Sequence, residues 1–512
     1  MSTGTNGGGT GDALLEEVLN GRRSTFAVLH RPESGAGPDA VEVLAGPAST
    51  AESLADLPLD TAPAADPGTG AAPGRHELLT LVPYRQIRER GFDCADDGAP
   101  LITLRVEDQG RVPLAGFRAR VPDTGITLSD GGFDVEDAAY AATARRIIDG
   151  EIGNGEGANF VLRRSFTATV EGFSAASALT LFRRLLSQES GAYWTFVVHT
   201  PHGTFVGASP ERHVSLDRGT AVMNPISGTY RYPASGPALE GVKAFLADRK
   251  EADELYMVVD EELKMMARIC DSVPRVVGPR LKEMARLAHT EYHNEQVSGF
   301  WLGRSERAAV PELAGLDVLV VDAEDTFTAM LAHQLRALGP RVEVRRYDEP
   351  FRLDGRGLVV MGPGPGDPRD TAHPKIAVVR RAVRDLLAAR APFLAVCLSH
   401  QALCLELGLE VVRRDTPNQG AQHTVDLFGR SERVGFYNTF AGRCAEPVFV
   451  PGGGLPGPVE AARDPRTGEV HALRGPGFAS MQFHPESLLT RDGVGILART
   501  LSGVLQPGAV PA

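Results

Sequence analysis

A chain of 512 residues, 42% hydrophobic and 23% charged, has material for two to four domains with buried cores. Its formal charge of −12 suits an enzyme of small molecules and argues against a nucleic-acid partner, because phosphates attract basic surface. Five cysteines (Cys94, Cys270, Cys397, Cys404, Cys444) are odd in number and scattered, without zinc-ligand spacing, so reduced thiols are expected.

In chain order, residues 1–12 carry a Gly/Thr tract that reads as disordered. The opening MSTGTNGGGTGDALLEE has neither a basic nor an apolar signal region, and no apolar run reaches bilayer length. A cytoplasmic protein without a membrane partner is the expectation. FAVLHR reads as a first strand, and Gly35–Gly74, rich in Ala, Pro, Gly and Asp, as loops. DAAYAATARRIIDGEI has helical spacing, ANFVLRRSFTATV is strand-like, and AASALTLFRRLLSQ is an amphipathic helix. AYWTFVVHT, GTFVGAS and RHVSLDRGTAVMNPI alternate short strands with turn residues, as antiparallel sheets do. KEADELYMVVDEELKMMARI is a long helical pattern charged on one face. The first large unit spans 13–303, and RSERAAVPELAG (304–315) is a polar linker. Beyond it LDVLVVD, GLVVMG and PFLAVC alternate with helical segments, predicting an α/β domain over 316–507.

Within that domain, PFLAVCLSHQ ends a strand at Val396 and starts a helix near Ser399, with Cys397 on the turn. A thiol there sits at a helix N-terminus, whose dipole favours thiolate. Taken alone, such a cysteine is more often a buried structural residue, and Cys404 further along reads as core. The Gly-rich turn MGPGPGDP offers backbone N–H groups to an oxyanion. SMQFHPES supplies a base, His484, and a carboxylate to orient it, Glu486. In the first unit, Glu251 and Glu254 share a helix face, which can hold Mg²⁺ but by itself reads as a solvated face, the usual fate of such pairs.

The three C-terminal pieces, in this order, resemble a class I glutamine amidotransferase from Leu316 to about Leu505. The resemblance implies that Cys397 attacks the glutamine amide, His484 is base and then acid, and Glu486 orients His484. It also implies glutamine contacts from Gly364, Pro365, Gly366, Gln401, Thr439 and Phe440, with ammonia as the product passed on. The family's GxCLGHQ is AVCLSHQ here and its YHSL is YNTF, small or polar replacements that bear on rate.

VGASPERHV, MNPISGTYRYP and ADRKEADELYMVVDEEL resemble the chorismate-using family of anthranilate synthase component I. With the downstream amidotransferase, the order of motifs is most similar to the fused, phenazine-type 2-amino-2-deoxyisochorismate synthases. The fold implied is an α+β chorismate-binding domain followed by an α/β class I amidotransferase domain. The resemblance makes Glu251 and Glu254 Mg²⁺ ligands and His289 the histidine that helps the hydroxyl leave. It places Ile226, Ser227, Gly228 and Thr229 on the chorismate pocket. Asn159 stands where water-using relatives carry a lysine, which favours ammonia as nucleophile. LLEE (Leu14–Glu17) replaces the LLES of tryptophan-sensitive members, which argues against that feedback control. A homodimer is implied by the fused relatives, and the product, aminodeoxyisochorismate or anthranilate, stays open.

One stretch breaks the pattern. LAHTEYHNEQVSGFWLGR passes straight from the His289 motif to the segment that in relatives precedes the amidotransferase. The family's TxSGxPK-like loop, its Tyr and Arg carboxylate clamp, a strand pair and a further Mg²⁺-ligating glutamate do not occur between Tyr292 and Leu316. The chorismate-binding domain therefore reads as incomplete, joined near His293–Asn294. Each lost arginine contact to a dianion removes charge-assisted bonds worth ~1.5–3 kcal/mol. Three readings follow: an aminating synthase with an impaired synthase half, a glutaminase supplying ammonia to a separate synthase, or a non-catalytic remnant.

Overall fold

The computed structural model describes residues 8–33, 36–59, 75–152, 159–217, 220–270, 275–295, 310–452 and 457–505. Helix α1 (Gly8–Leu19) leads into β1 (Phe26–His30), β2 (Ala40–Ala45), β3 (Ala48–Ala51), β4 (Leu78–Leu81), β5 (Leu101–Arg105) and β6 (Asp108–Pro113). Then come α2 (Leu114–Arg120), β7 (Leu128–Phe133), α3 (Asp137–Arg146), β8 (Phe166–Val170), α4 (Ala175–Gln188), β9 (Trp194–Thr200) and β10 (Gly203–Ser209). Antiparallel β10-β9-β1-β2-β6 forms one sheet. Alternation along its strands decides the packing. Phe26, Val28, Val41 and Val43 face the helices, burying Leu15, Phe117 and Phe182, while Ala27, Leu29 and Leu44 face the β3-β5-β4 sheet.

A second sheet holds β11 (Arg212–Asp217), β12 (Thr220–Asn224), β13 (Ile226–Arg231), β14 (Arg275–Glu283) and β15 (Leu287–Glu295), in the order β11-β12-β15-β13 with β14 also on β15. Between β13 and β14 lie α5 (Leu239–Ala247) and the long α6 (Arg249–Ile269), capped by Asp248, whose carboxylate accepts from Lys250 N–H at 2.8 Å.

The C-terminal half opens with β16 (Asp317–Asp322), α7 (Phe327–Ala337), β17 (Arg341–Arg346), β18 (Leu358–Met361), α8 (Pro374–Ala389), β19 (Phe393–Val396) and α9 (Leu398–Glu406). A long hairpin, β20 (Glu410–Asp426) with β21 (Ser431–Arg443), precedes β22 (Val448–Phe449), β23 (Val459–Arg463), β24 (Val470–Gly475), β25 (Phe478–Met481) and α10 (Gly493–Leu505). The eight-stranded sheet runs β17-β16-β18-β19-β25-β24-β23-β22, parallel through β25 and antiparallel beyond. Its apolar runs are continuous because both faces are covered. Leu319, Val359, Met361 and Phe393 enter one core, and Val318, Val320, Leu358 and Leu394 the other.

Four expectations change. Residues 8–12 are helical rather than disordered, because Gly11 packs directly on Gly110 of β6, an approach that any side chain at either position would block; residues 1–7 lie outside the described residues. The Gly35–Gly74 region contains β2, β3 and a 3₁₀ turn at Leu54–Asp56, with 60–74 outside the described residues. In ANFVLRRSFTATV only Phe166–Val170 is strand. Of the linker, 304–309 lie outside the described residues, while Leu313 is fully buried in the amidotransferase-side core. Among the described residues, no helix is long and apolar enough to cross a membrane.

Helix α6 packs against both halves. Leu255, Val259 and Leu263 share a core with Tyr292 of β15 and with Phe327 and Met330 of α7. The same helix buries Glu262, whose carboxyl is raised to about 8 by burial and then by Glu211. Between the ordinary value of 4.5 and about 8 the folded chain therefore holds a proton that the unfolded chain releases. Stability should fall as pH rises through that window. In Glu262→Gln the fall should flatten, with a higher Tm than the parent at about pH 8.5 and a similar one at about pH 5. Differential scanning fluorimetry across this range checks it, and parallel profiles for both proteins would contradict it.

Candidate active sites

The carboxyl edge of the parallel strands gathers the C-terminal site. β18 lies beside β19 and β19 beside β25, with Val396 opposite Met481. The loops leaving these three strands carry the Gly-Pro-Gly turn, Cys397, and His484 with Glu486. Cys397 caps α9 at φ 53° and ψ −107°, a strained turn that aims a side chain out of the strand-to-helix corner. Its N–H donates to the Met481 carbonyl at 2.8 Å, which fixes the corner to β25.

His484 Nδ1–H donates to Glu486 Oε1 at 2.8 Å, so Nε2 is left for the thiol. Both side chains are buried, and Nε2 has no hydrogen-bond partner at normal distance. Burial opposes a charge on His484, but coupling to Cys397 and Glu486 outweighs it and holds the imidazole well above its ordinary pKa. Burial raises the Glu486 carboxyl, against the lowering effect of His484. A thiol, an imidazole and a carboxylate that orients it are thus together, the set that nucleophilic catalysis requires.

A second Cys–His pair tests this assignment. Cys404 Sγ lies 3.6 Å from His400 Nε2, yet both residues are wholly buried within α9. Burial depresses His400 to about 3 and pushes the Cys404 thiol far up, so neither ionises in the physiological range. That pair is core.

Around Cys397, Gly364 is required because a Cβ would collide with the Ala323 carbonyl, and Gly366 adopts φ +124°. Pro365 lies between them on the same loop. Gln401 is buried, with Nε2 donating to the Phe440 carbonyl at 2.8 Å and to Gln482 Oε1 at 3.1 Å. Thr439 and Phe440 are half-buried on β21, and the Arg369 guanidinium lies 4.7 Å over the Phe440 ring. Gln482, 3.8 Å from Cys397 Sγ, and Tyr437, whose carbonyl is 3.8 Å from it, were not legible as site residues. Their proximity comes from tertiary packing, although both flank motifs that were read.

The N-terminal cluster forms where β13 meets β15. Ser227 pairs with Thr290, and the register then slips before Tyr230, leaving Gly228 at φ +62°. His289 Nδ1–H donates to the Gly228 carbonyl at 2.6 Å, which frees Nε2, and Thr229 Oγ1 lies 3.4 Å away. A Cβ on Gly228 would collide with Glu251 Oε2, so the glycine admits the α6 carboxylate to the cluster. Ile226, Ser227, Gly228, Thr229, His289 and Glu251 are therefore brought together. Lys250 Nζ bridges Glu251 Oε1 at 3.1 Å and Glu254 Oε2 at 2.6 Å, while Glu251 Oε2 is buried without a partner. Among the described residues, no group of three or more His, Cys, Asp or Glu could hold a metal. Asn159 is exposed on the irregular stretch before β8, and no hydrogen bond joins it to this cluster among the described residues. Glu211 was missed; burial raises its carboxyl, and its charge couples to His213 and His289.

Comparison with known proteins agrees with the two-domain reading. Residues 319–503 match the class-I glutamine amidotransferase family, and residues 124–293 match the chorismate binding enzyme family. Together they define a chorismate-binding domain fused to a class-I amidotransferase. The phenazine-specific anthranilate synthase of Pseudomonas fluorescens is 43% identical over 627 aligned positions, covering 96% of this chain and 97% of that protein. That of Pseudomonas chlororaphis is 42% identical with the same coverage. Anthranilate synthase component 2 of Azospirillum brasilense is 32% identical over 192 positions, covering 36% of this chain and 95% of that protein. The chain belongs to the family of the phenazine-specific anthranilate synthases. Since it has 512 residues, at least 115 of the 627 aligned positions hold none of its own (627 less 512).

Replacing Cys397 by Ser should lower glutamate release from glutamine by ~10³-fold or more. Cys404→Ser should leave it within about threefold, because that thiol takes no part. A coupled glutamate dehydrogenase assay on both variants decides, and full activity in Cys397→Ser would remove the nucleophile assignment.

Proposed function

We propose that this chain is built to aminate chorismate with ammonia drawn from glutamine, and that its amidotransferase half is complete while its synthase half is impaired, missing the segment that closes the chorismate site. The observation that carries the first part is the Cys397–His484–Glu486 arrangement. Cys397 passes its thiol proton to His484 and its Sγ attacks the glutamine side-chain carbonyl carbon, the π pair moving onto oxygen, which faces the first turn of α9 and the Gly364–Gly366 loop. His484 gives its proton to the departing amine, so ammonia leaves and a thioester remains. Water, deprotonated by His484, then attacks the thioester, and glutamate leaves as the thiol is restored.

At the second cluster, ammonia replaces the chorismate hydroxyl, which departs as water with His289 Nε2 facing it. By resemblance Asn159, where water-using relatives hold a lysine, speaks for ammonia as the nucleophile, but its exposed position outside the cluster adds no geometric support. Glu251 and Glu254 fit Mg²⁺, because two carboxylates share one face and one buried oxygen lacks a partner that a cation would provide. When bound, the ion would neutralise substrate carboxylate charge. Lys250 would have to turn away from the pair.

Support for the missing segment comes from four observations. The chorismate-binding match stops at residue 293, and at least 115 aligned positions are empty in this chain. Buried polar atoms on the strands and helix around the join lack partners: Ser227 Oγ, Glu262 Oε2, and both amide atoms of Asn294. The β7–β8 hairpin pairs with no other strand among the described residues and leaves Phe133 and Phe166 each 56% exposed. Cytoplasmic location, a homodimer, and the choice between aminodeoxyisochorismate and anthranilate belong to the same reading.

The test is one incubation of purified protein with glutamine, Mg²⁺ and chorismate, followed by mass spectrometry. Glutamate without a chorismate-derived amine is the expected outcome. An amine, lost in Glu251→Gln, would overturn the impairment and its mass would name the product. Absence of glutamate would overturn the amidotransferase assignment itself.

A further inference from the structure

Asp260 is the most deeply placed carboxylate that neither cluster uses. It lies on α6, in the synthase half, and is 0% exposed. Yet its hydrogen bonds all cross to the amidotransferase half. Tyr437 Oη donates to Oδ2 at 2.6 Å, Ser487 Oγ donates to Oδ2 at 2.5 Å, and the Leu488 N–H donates to Oδ1 at 2.8 Å. A buried carboxylate is costly unless its lone pairs are met, and here three donors meet them.

The donors are not arbitrary surface groups. Ser487 and Leu488 directly follow Glu486, the carboxylate that orients His484. Tyr437 presents its carbonyl 3.8 Å from Cys397 Sγ, and its ring meets the His484 imidazole edge-on at 5.4 Å. One side chain thus ties together the segment behind the base and the strand beside the nucleophile. Lys264, one turn along α6, reinforces the same wall: its ammonium lies 3.8 Å over the Phe327 ring, which is 4.4 Å from the His484 ring. His333 of α7 donates to the Ala267 carbonyl at 2.8 Å and fixes the end of the helix.

We propose that Asp260 is a positioning residue for glutamine hydrolysis: a synthase-half carboxylate that holds Tyr437 and Ser487 so that His484 and Cys397 meet in register. This rests on the glutaminase reading of Cys397, His484 and Glu486. A buried interface anchor with no such role would affect stability alone, so the two differ in what they do to turnover.

The experiment uses the full chain and the substitution Asp260→Asn, which keeps the shape but turns one acceptor into a donor facing Tyr437, Ser487 or Leu488. Glutaminase kcat should fall by about tenfold or more, as small misplacements of reacting groups do, with KM within about twofold. The pH profile of kcat/KM should shift with it, since His484 changes its surroundings. Leu263→Ala, in the same interface but without a polar contact, should lower Tm and leave kcat within about twofold. Cys397 alkylation by iodoacetamide, followed by peptide mass, gives a readout independent of turnover and should slow in Asp260→Asn. Unchanged kcat and alkylation in Asp260→Asn, or equal kcat losses in both variants, would overturn the proposal. Should Asp260→Asn not fold, Tyr437→Phe and Ser487→Ala each remove one donor, and full activity in both would overturn it. If the parent itself releases no glutamate, the glutaminase reading fails, and alkylation still decides whether Asp260 positions the thiol.

Discussion

The parallel pairing of β19 with β25 is the constraint on which the chemistry depends. It sets Val396 beside Met481, and so brings a cysteine and a histidine from distant parts of the chain to one sheet edge. Every later feature refines that placement. The bond from Cys397 N–H to the Met481 carbonyl fixes the turn, and the Gly435 carbonyl accepts the His484 N–H at 2.9 Å and fixes the base. Thr490 Oγ1 donates to the His484 carbonyl at 2.6 Å from the other side. The backbone of the base is thus pinned in both directions before its side chain does anything, which is what a preorganised site requires.

Burial then acts differently on similar groups. His400 and Cys404 are closed off with no carboxylate nearby, so burial pushes both toward their neutral forms. His484 is equally buried but faces an acid on each side, and its proton is retained. The difference between a core pair and a working pair is therefore the partner charge rather than exposure. Ser399 shows the same economy: its hydroxyl donates to the Gly362 carbonyl at 2.6 Å, locking the start of α9 to the Gly-rich loop.

Much of this was legible in the sequence where local pattern and tertiary role agree. AASALTLFRRLLSQ is α4 from its first residue to its last, because Ser174 caps it and its apolar stripe faces one core. Cys397, the Gly364–Gly366 loop and His484–Glu486 sit on strand ends, where short motifs carry their own backbone requirements. What escaped is set by packing between distant segments. Gly11 reads as flexible until the β6 backbone is found against it. Asp260 reads as one more charge on a charged helix, since nothing local says that three donors from the other half converge on it. Glu262, two residues further on, is buried near Glu211 for the same reason. Asn159 was placed by a local match, but the stretch that holds it takes no strand form and stays exposed.

Helix α6 meets its own polar groups unevenly from one face to another. On the amidotransferase side its polar groups are met: Asp260 by three donors, Lys264 by Glu261 at 2.5 Å and by two aromatic faces. Toward β13 and Glu211 the pattern reverses, with Glu251 and Glu262 each keeping a buried oxygen without a partner. β15 still finds strands on both sides, because β14 pairs along it while β13 and β12 share its other edge. Backbone pairing therefore survives where side-chain partners do not. A sheet can close over a short segment by hydrogen bonds that any sequence makes, whereas a buried polar side chain needs a particular neighbour. The helix carries both conditions within a few turns, so its packing couples the chorismate-binding cluster to the amidotransferase wall.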